Sequence, residues 1–406
     1  MTTPAITPDN VTLKTAPASA EFPPALARLA TKSAAEKQRL VLLNVGPQHP
    51  STHGVLRLRV LLDGEIVRGV DPVIGYLHRG VEKLWEDGSY LQGIPLTDRL
   101  DYAAAMHNNY AFVRACEVLG NVQVPEKAQY IRVLTAEIQR VASHLLWLGP
   151  FCLDSGAVTP FFWCMRDREG AIALLERLSG ARLTYNWYRI GGVKNDLPPG
   201  FLDEAARYCD YMEERLKEYW NLLAENDIFV VRTKKVGVLP KRLAINYGCS
   251  GPMLRGSGVA YDQRKAHPYD VYGRMKFDVP VRTGGDAYDR FIVRMKEMTE
   301  SIRIIRQCIA EMPATGDYVS PEVGEGARQH RFKAPPGEVY AAIEGGRGEY
   351  GCLVVSDGTS KPYRFKWRAP TLSNLAPLHD MVVGLKIPDL VVSLGSIDII
   401  LGDLDR

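Results

Sequence analysis

The seven cysteines of this 406-residue sequence, Cys116, Cys152, Cys164, Cys209, Cys249, Cys308 and Cys352, stand singly, and no two form a CxxC pair. Thiolate metal sites and haem attachment use such pairs, and an odd number of scattered thiols fits a reducing compartment better than a disulfide framework. No run of 18 apolar residues occurs, so no helix is expected to cross a membrane. The first residues also lack the basic, apolar and small-residue order of a secretory signal. Any membrane role is therefore expected to be peripheral. Lys and Arg number 50 against 47 Asp and Glu, and the two signs are interspersed with no basic block, which argues against a nucleic-acid partner. Internal repeats and low-complexity blocks are missing as well.

What is present suits a large globular core, with 46% hydrophobic and 24% charged residues. Residues 1–38, rich in Thr, Ala and Pro and without a period, read as a flexible or extended arm. Residues 39–406 read as a single domain of class α+β. "VLRLRVLLDGEIVRGV", about 55–70, alternates apolar and charged residues around Asp63-Gly64 and predicts a β hairpin. A helical core is expected over about 80–312. Its longest helix, "VPEKAQYIRVLTAEIQRVASHLLWLG" (124–149), carries one buried stripe through Ile131, Leu134, Ile138, Val141, Leu145 and Leu148, with Gly149 as the stop. Further helices are predicted near 166–178, 201–223 and 288–309. Short β-type runs such as "YGCLVVSDG" and "YRFKWRAP" predict a C-terminal β region over about 335–406.

The chemistry concentrates in loops. "VGPQHPSTHG" (45–54) sets His49 and His53 four apart, a metal-binding interval on a helix, but Gly46, Pro47 and Pro50 oppose a helix and favour a loop. His53 there either bonds a backbone carbonyl in a tight turn or serves a ligand. His78, His107 and His144 read as structural, and "RGSGVAY" lacks the spacing of a phosphate loop and reads as a turn. Asp154 follows an apolar "FCL" at a helix end. It is either a turn or cap residue or a half-buried carboxylate needing a cationic or imidazole partner. Asp101 lies two residues from Arg99, so the two are placed to pair on a strand. Together these loops could hold a mostly apolar ligand with a few polar handles.

The stretches "NVGPQHPSTHGVLRL", "GYLHRGVEKL", "PLTDRLDY", "RVASHLLWLG", "VTPFFW", "RIGGVKNDLP", "LRGSGVAYDQRK" and "IILGDLDR" resemble the D-type subunit family of NADH-quinone oxidoreductase, respiratory complex I, from about Val41 to Arg406. That family is related in fold to the large subunits of nickel–iron hydrogenases, which implies a central long-helix bundle flanked by N-terminal and C-terminal antiparallel β regions. Hydrogenases hold their metals with two CxxC pairs. The matching stretches here, "RLDYAA" (99–104) and "DIILGD" (398–403), contain no cysteine, so a hydrogenase-like metal enzyme is disfavoured.

In the resembled family the ligand is a quinone. The resemblance implies that His53 and Tyr102 donate hydrogen bonds to its head group and that Asp154 pairs with His53. Thr52, Arg99 and Asp101 are implied neighbours of that site. No cofactor is expected on this chain, electrons arriving from an iron–sulfur cluster in a neighbouring subunit. The implied partners are that iron–sulfur subunit, a second peripheral-arm subunit and a quinone-channel membrane subunit, on the cytoplasmic side of the inner membrane, in a proton-pumping complex outside which the chain is inactive. An imidazole that titrates near neutrality and a phenol that titrates much higher are suited to donate the two protons that quinone reduction needs. Proton loss from His53 would leave Asp154 uncompensated and move its loop, which would start the coupling to pumping. The alternative is a scaffold of the complex without quinone contacts.

Overall fold

Apolar alternation and a glycine turn open the fold in the computed structural model, which describes residues 40–406; the expected N-terminal arm lies outside the described residues. Strands β1 (Leu40–Val45), β2 (Arg57–Asp63) and β3 (Ile66–Val73) form an antiparallel sheet in that order. Asp63 pairs with Ile66, which leaves a two-residue loop whose first position, Gly64, has a φ of +61°. Hairpins of this length favour glycine there because the backbone must turn left-handed. Leu58, Val60, Leu62, Val67 and Val70 pack from the sheet into a core shared with Met381, Leu390, Leu394 and Leu404 near the end of the chain.

The helical layer begins with α1 (Val81–Asp87) and α2 (Tyr90–Thr97), the second opened by a capping box between Ser89 and Gln92. There follow α3 (Ala105–Gly120), α4 (Glu126–Asp154) and α5 (Thr159–Ser179). A two-stranded ribbon, β4 (Tyr188–Arg189) and β5 (Gly192–Val193), precedes α6 (Phe201–Tyr219), which runs on as one π-helical turn, Trp220–Ala224. Four short helices that the sequence pattern does not announce come next: α7 (Asp227–Thr233), α8 (Lys241–Asn246), α9 (Gly251–Gly256) and α10 (Gln263–Ala266). The bundle closes with α11 (Ala287–Glu311). The stretch "RGSGVAY" is the end of α9 and the turn after it.

Two expectations about α4 need correction. The helix does not stop at Gly149 but continues through Pro150 to Asp154. Gly149 serves packing instead, since a Cβ there would lie 3.1 Å from both Met165 Cε and Phe161 Cδ2 on α5. Nor does α4 carry a single buried stripe. Its polar residues Arg132, Glu137, Gln139, Arg140 and His144 are as buried as its leucines. Each charged one has a partner: Arg132 meets Glu117, Glu137 meets Arg140 and Arg264, and His144 Nε2 lies 2.8 Å from Glu297 Oε2. Burying an ion is tolerated only with such pairing. Against the pull of burial, Arg140 and Arg264, with hydrogen bonds from Ser301 and Tyr272, hold the Glu137 carboxyl far below its usual range.

Strands β6 (Gly337–Glu344), β7 (Glu349–Ser356) and β8 (Arg364–Arg368) form the second antiparallel sheet. The expected β region does not extend to residue 406. After Arg368 the chain is helical, as α12 (Pro370–Leu375), α13 (Leu378–Val382), α14 (Ile387–Ile397) and α15 (Leu401–Asp405). Pro370 and Pro388 sit in first turns, where proline costs no hydrogen bond, and the apolar run of α14 is buried between the bundle and the first sheet. These last helices bring the end of the chain back to the His53 loop.

Candidate functional site

The loop 46–54 is built to present one side chain. Pro50–Thr52 make a single 3₁₀ turn, and His53 follows it in the left-handed region at φ 54° and ψ 34°. Thr52 is fully buried, and the single proton of its hydroxyl is within reach of both His49 O (2.8 Å) and Gly54 O (2.9 Å). His49 Nδ1 accepts from Ser51 N, so this exposed ring is committed to its own loop. Gly46 and Gly54 let the loop be clamped: a Cβ on Gly46 would lie 2.0 Å from Leu56 O, and one on Gly54 would lie 2.7 Å from Leu401 Cδ1 on α15. His53 is thereby aimed away from His49, toward the end of α4.

There His53 Nε2 lies 2.7 Å from Asp154 Oδ2, with both side chains largely buried. Asp154 is the last residue of α4, and its carboxylate fits against a glycine of α14, where a Cβ on Gly395 would come within 2.7 Å of Oδ2. This pair lines a cavity of about 430 Å³ together with Tyr102, Arg347 and Asp398 and the apolar Leu146, Trp147, Pro150, Leu153, Ile399 and Ile400. The volume and the lining, mostly apolar with a few convergent polar groups, are those of a small-molecule site. Tyr102 is 39% exposed, and burial of its phenol, set against the pull of Arg347, raises its pKa, so it is a proton-bearing donor at neutral pH.

Arg347 was not singled out in the sequence, yet it organises the polar end of the cavity. Its Nη1 donates to Asp101 Oδ2 (2.8 Å) and Ser143 Oγ (3.0 Å), its Nη2 to Asp398 Oδ1 (2.9 Å) and its Nε to Asp398 O (3.1 Å). Although burial opposes it, the two carboxylates hold this guanidinium firmly protonated. Asp101 also accepts from Ala103 N, which fixes the turn carrying Tyr102, and from the Tyr350 hydroxyl. The expected Asp101–Arg99 pair is not formed, because residues 99–102 are in a turn rather than a strand. Arg99 is exposed and donates to Pro95 O (2.6 Å). Neither Thr52, Arg99 nor Asp101 lines the cavity; Thr52 and Asp101 act one layer behind it. His144 is paired with Glu297, His78 Nδ1 contacts Asp405 O, and His107 stacks on Tyr350, all away from the cavity wall. A signal for Arg347 and Asp398 lay only in their being charges within otherwise apolar or glycine-rich runs, "IEGGRGEY" and "GSIDIIL".

The stretches 99–104 and 398–403 meet here: a Cβ on Gly402 would lie 2.4 Å from Leu100 O. A long-helix bundle between two small antiparallel sheets, with these two stretches converging on one cavity, is an α+β fold of the hydrogenase-large-subunit type. The family model for the 49 kDa subunit of respiratory-chain NADH dehydrogenase matches residues 154–406. The D-type subunit of NADH-quinone oxidoreductase from Dehalococcoides mccartyi is 50% identical over 371 residues, covering 91% of this chain and 99% of that protein. The corresponding subunits of Geobacillus thermodenitrificans and Bacillus mycoides are 50% and 48% identical, each over 90% of this chain and 98% of their own length. The chain belongs to this family of complex I subunits. Among the described residues no helix is long and apolar enough to cross a membrane.

Two outcomes test the geometry. Gly395→Ala should push the Asp154 carboxylate off His53, and a structure of the variant should show their separation beyond about 3.5 Å, past hydrogen-bonding range; an unchanged contact would show that the wall yields elsewhere. Asp403, fully buried and bonded by Trp367 Nε1 (2.8 Å), is pushed up to about 6 by burial and by the nearby Asp101. The folded state therefore holds this proton more tightly than the unfolded chain, and stability falls by about 2 kcal/mol as pH rises from 4 to 6. In Asp403→Asn that contribution vanishes, so thermal unfolding followed between pH 4.5 and 6.5 should show a smaller decline than in the parent.

Proposed function

We propose that this subunit forms the head-group site at which NADH-quinone oxidoreductase reduces quinone. The observation that carries the reading is the convergence of the His53–Asp154 pair and Tyr102 on one apolar-walled cavity. Its relatives, subunits of NADH-quinone oxidoreductase, supply the substrate class. Quinone takes up two electrons and two protons to become quinol, forming an O–H bond at each oxygen. The electrons come from an iron–sulfur cluster of a neighbouring subunit, this chain carrying no cofactor. The protons come from the two donors that face the cavity.

Tyr102 donates a hydrogen bond to one oxygen and His53 to the other. Both groups pass their protons as the oxygens become basic on reduction and are then reprotonated from solvent. Asp154 orients the His53 ring and offsets its charge. Proton transfer from His53 leaves the carboxylate facing a neutral imidazole across 2.7 Å in a largely dry site. The cost of that uncompensated charge is what biases the 46–54 loop toward a second position and begins the coupling to proton translocation. Thr52, with its hydroxyl bonded inside the loop, makes this segment move as a unit. Partners fitting this role are the iron–sulfur subunit, a second peripheral-arm subunit and a quinone-channel membrane subunit, with the chain held peripherally on the cytoplasmic side of the inner membrane.

In membranes carrying Tyr102→Phe or His53→Ala, NADH-to-quinone activity should fall by roughly 10²-fold, the usual worth of a positioned proton donor, while NADH-to-ferricyanide activity and assembly persist. Quinone rates at the parent level in both variants would make the chain a scaffold.

A further inference from the structure

A second cation, bonded to no carboxylate, stands behind the cavity wall. Arg294, on α11, is fully buried, and its Cζ lies 4.1 Å from the ring centre of Trp147, which lines the cavity. Its Nη1 donates to Ser396 O (3.1 Å) and Arg290 O (3.3 Å) and its Nη2 to Ile397 O (3.2 Å), while its Nε has no acceptor. Burial pulls this guanidinium down to about 10, which still leaves it charged at neutral pH. Arg290, one turn earlier, is equally buried and also bonds only neutral acceptors: Ser396 Oγ (2.9 Å), Gly285 O (2.8 Å) and Gly237 O (2.8 Å). Arg294 thus caps the C-terminal carbonyls of α14, the negative end of the helix dipole, while Arg290 reaches the same turn only through the Ser396 hydroxyl. Capping explains those bonds. It does not require an arginine seated on the face of the one tryptophan that walls the cavity.

The charges around the cavity are unequal in effect. Arg347 is paired with two carboxylates, Asp101 and Asp398, and Asp154 lies against His53. No carboxylate bonds Arg294, and Asp398 and Glu297 act on it only at longer range; its direct neighbours are carbonyl dipoles and an indole face, so its charge stands fixed behind the Trp147 wall. Resting on the quinone reading above, we propose that Arg294 is a positioning residue for quinone reduction: it fixes Trp147 and the Ser396–Ile397 end of α14 as one wall of the cavity, and its fixed positive charge behind that wall favours electron density on the head-group oxygens before protons reach them. A cation already in place needs no reorganisation when that density arrives, and fixed charge in a water-poor site acts more strongly than in solvent. The wall it fixes also carries Gly395, against which Asp154 is seated, and Trp147 Nε1 donates to Gly395 O (2.8 Å). One arginine therefore supports both the apolar wall and the seat of the His53 partner.

The test compares assembled membranes carrying Arg294→Lys, Arg294→Gln, Arg294→Met, Arg290→Gln or His53→Ala, with decylubiquinone as acceptor and ferricyanide as the control. Arg294→Met is included as a second neutral variant, one whose unbranched apolar chain can still pack on Trp147. The proposal expects kcat for decylubiquinone to fall roughly ten-fold in Arg294→Gln and Arg294→Met with little change in KM, at parent ferricyanide rates and parent thermal stability. Arg294→Lys should recover to within about three-fold of the parent, and Arg290→Gln, which loosens the same helix end without touching Trp147, should stay within about two-fold. Equal losses in Arg294→Lys and Arg294→Gln, equal losses in Arg290→Gln and Arg294→Gln, or parent kcat in the neutral variants would each overturn it. If His53→Ala retains the parent quinone rate, the quinone reading falls instead; if His53→Ala loses that rate while the neutral Arg294 variants keep it, only the Arg294 inference falls.

Discussion

Arg347 ties together three parts of the chain that lie far apart in sequence. Its guanidinium joins Asp101 in the turn before α3, Ser143 in the middle of α4 and Asp398 at the end of α14. Without it, two buried carboxylates would face each other across the polar end of the cavity, an arrangement that low-dielectric surroundings penalise heavily. With it, the turn that carries Tyr102 and the segment that carries Ile399 and Ile400 are held at fixed positions around a space of about 430 Å³. The remaining site residues are arranged on that frame. Asp154 comes off the end of α4, and His53 is brought to it by a loop clamped between Leu56 and Leu401.

The same logic runs through the bundle interior. Glu137, Arg140, Arg264, Asp262, Arg255, Glu344, Glu297 and His144 form a connected set of buried ions linking α4, α9, α10, α11 and β6. Such a set contributes modestly to net stability, because desolvation offsets most of the attraction, but breaking any member leaves a partner uncompensated. It therefore fixes how the helices register against one another rather than whether they associate. A cavity between helix ends, dependent on contacts of 2.7 to 2.9 Å, benefits from that fixed registration.

This buried polarity also limits what the sequence discloses. The hairpin at 57–73 was legible because Asp63-Gly64 and strict alternation are local signals, and the long helices were legible from their period. The polar residues of α4 look like a solvent face, since periodicity cannot distinguish water from an ion partner 150 residues away. Gly149 looks like a helix stop because glycine ends helices more often than it packs them. The apolar "LVVSLGSIDIIL" run reads as strand, and only its burial on all sides makes it α14 and the segment after it. For the site, resemblance brought forward His53, Tyr102 and Asp154, and the fold places all three on one cavity. Arg347, Asp398 and Arg294 were not anticipated, because their importance depends on contacts between residues 101, 147, 294, 347 and 398 that no local pattern encodes. Thr52 and Asp101, expected beside the ligand, support the residues that line its space.

The molecule is thus a rigid ionic frame that holds His53, on a short glycine-bounded loop, beside an apolar-walled cavity. The most direct test of that account is photoaffinity labelling of the assembled complex with an azidoquinone, followed by peptide mapping of this chain. The account predicts label in 50–53, 146–154 or 399–400 that excess unlabelled quinone suppresses. Competable label found only on other subunits, with none in these segments, would contradict it.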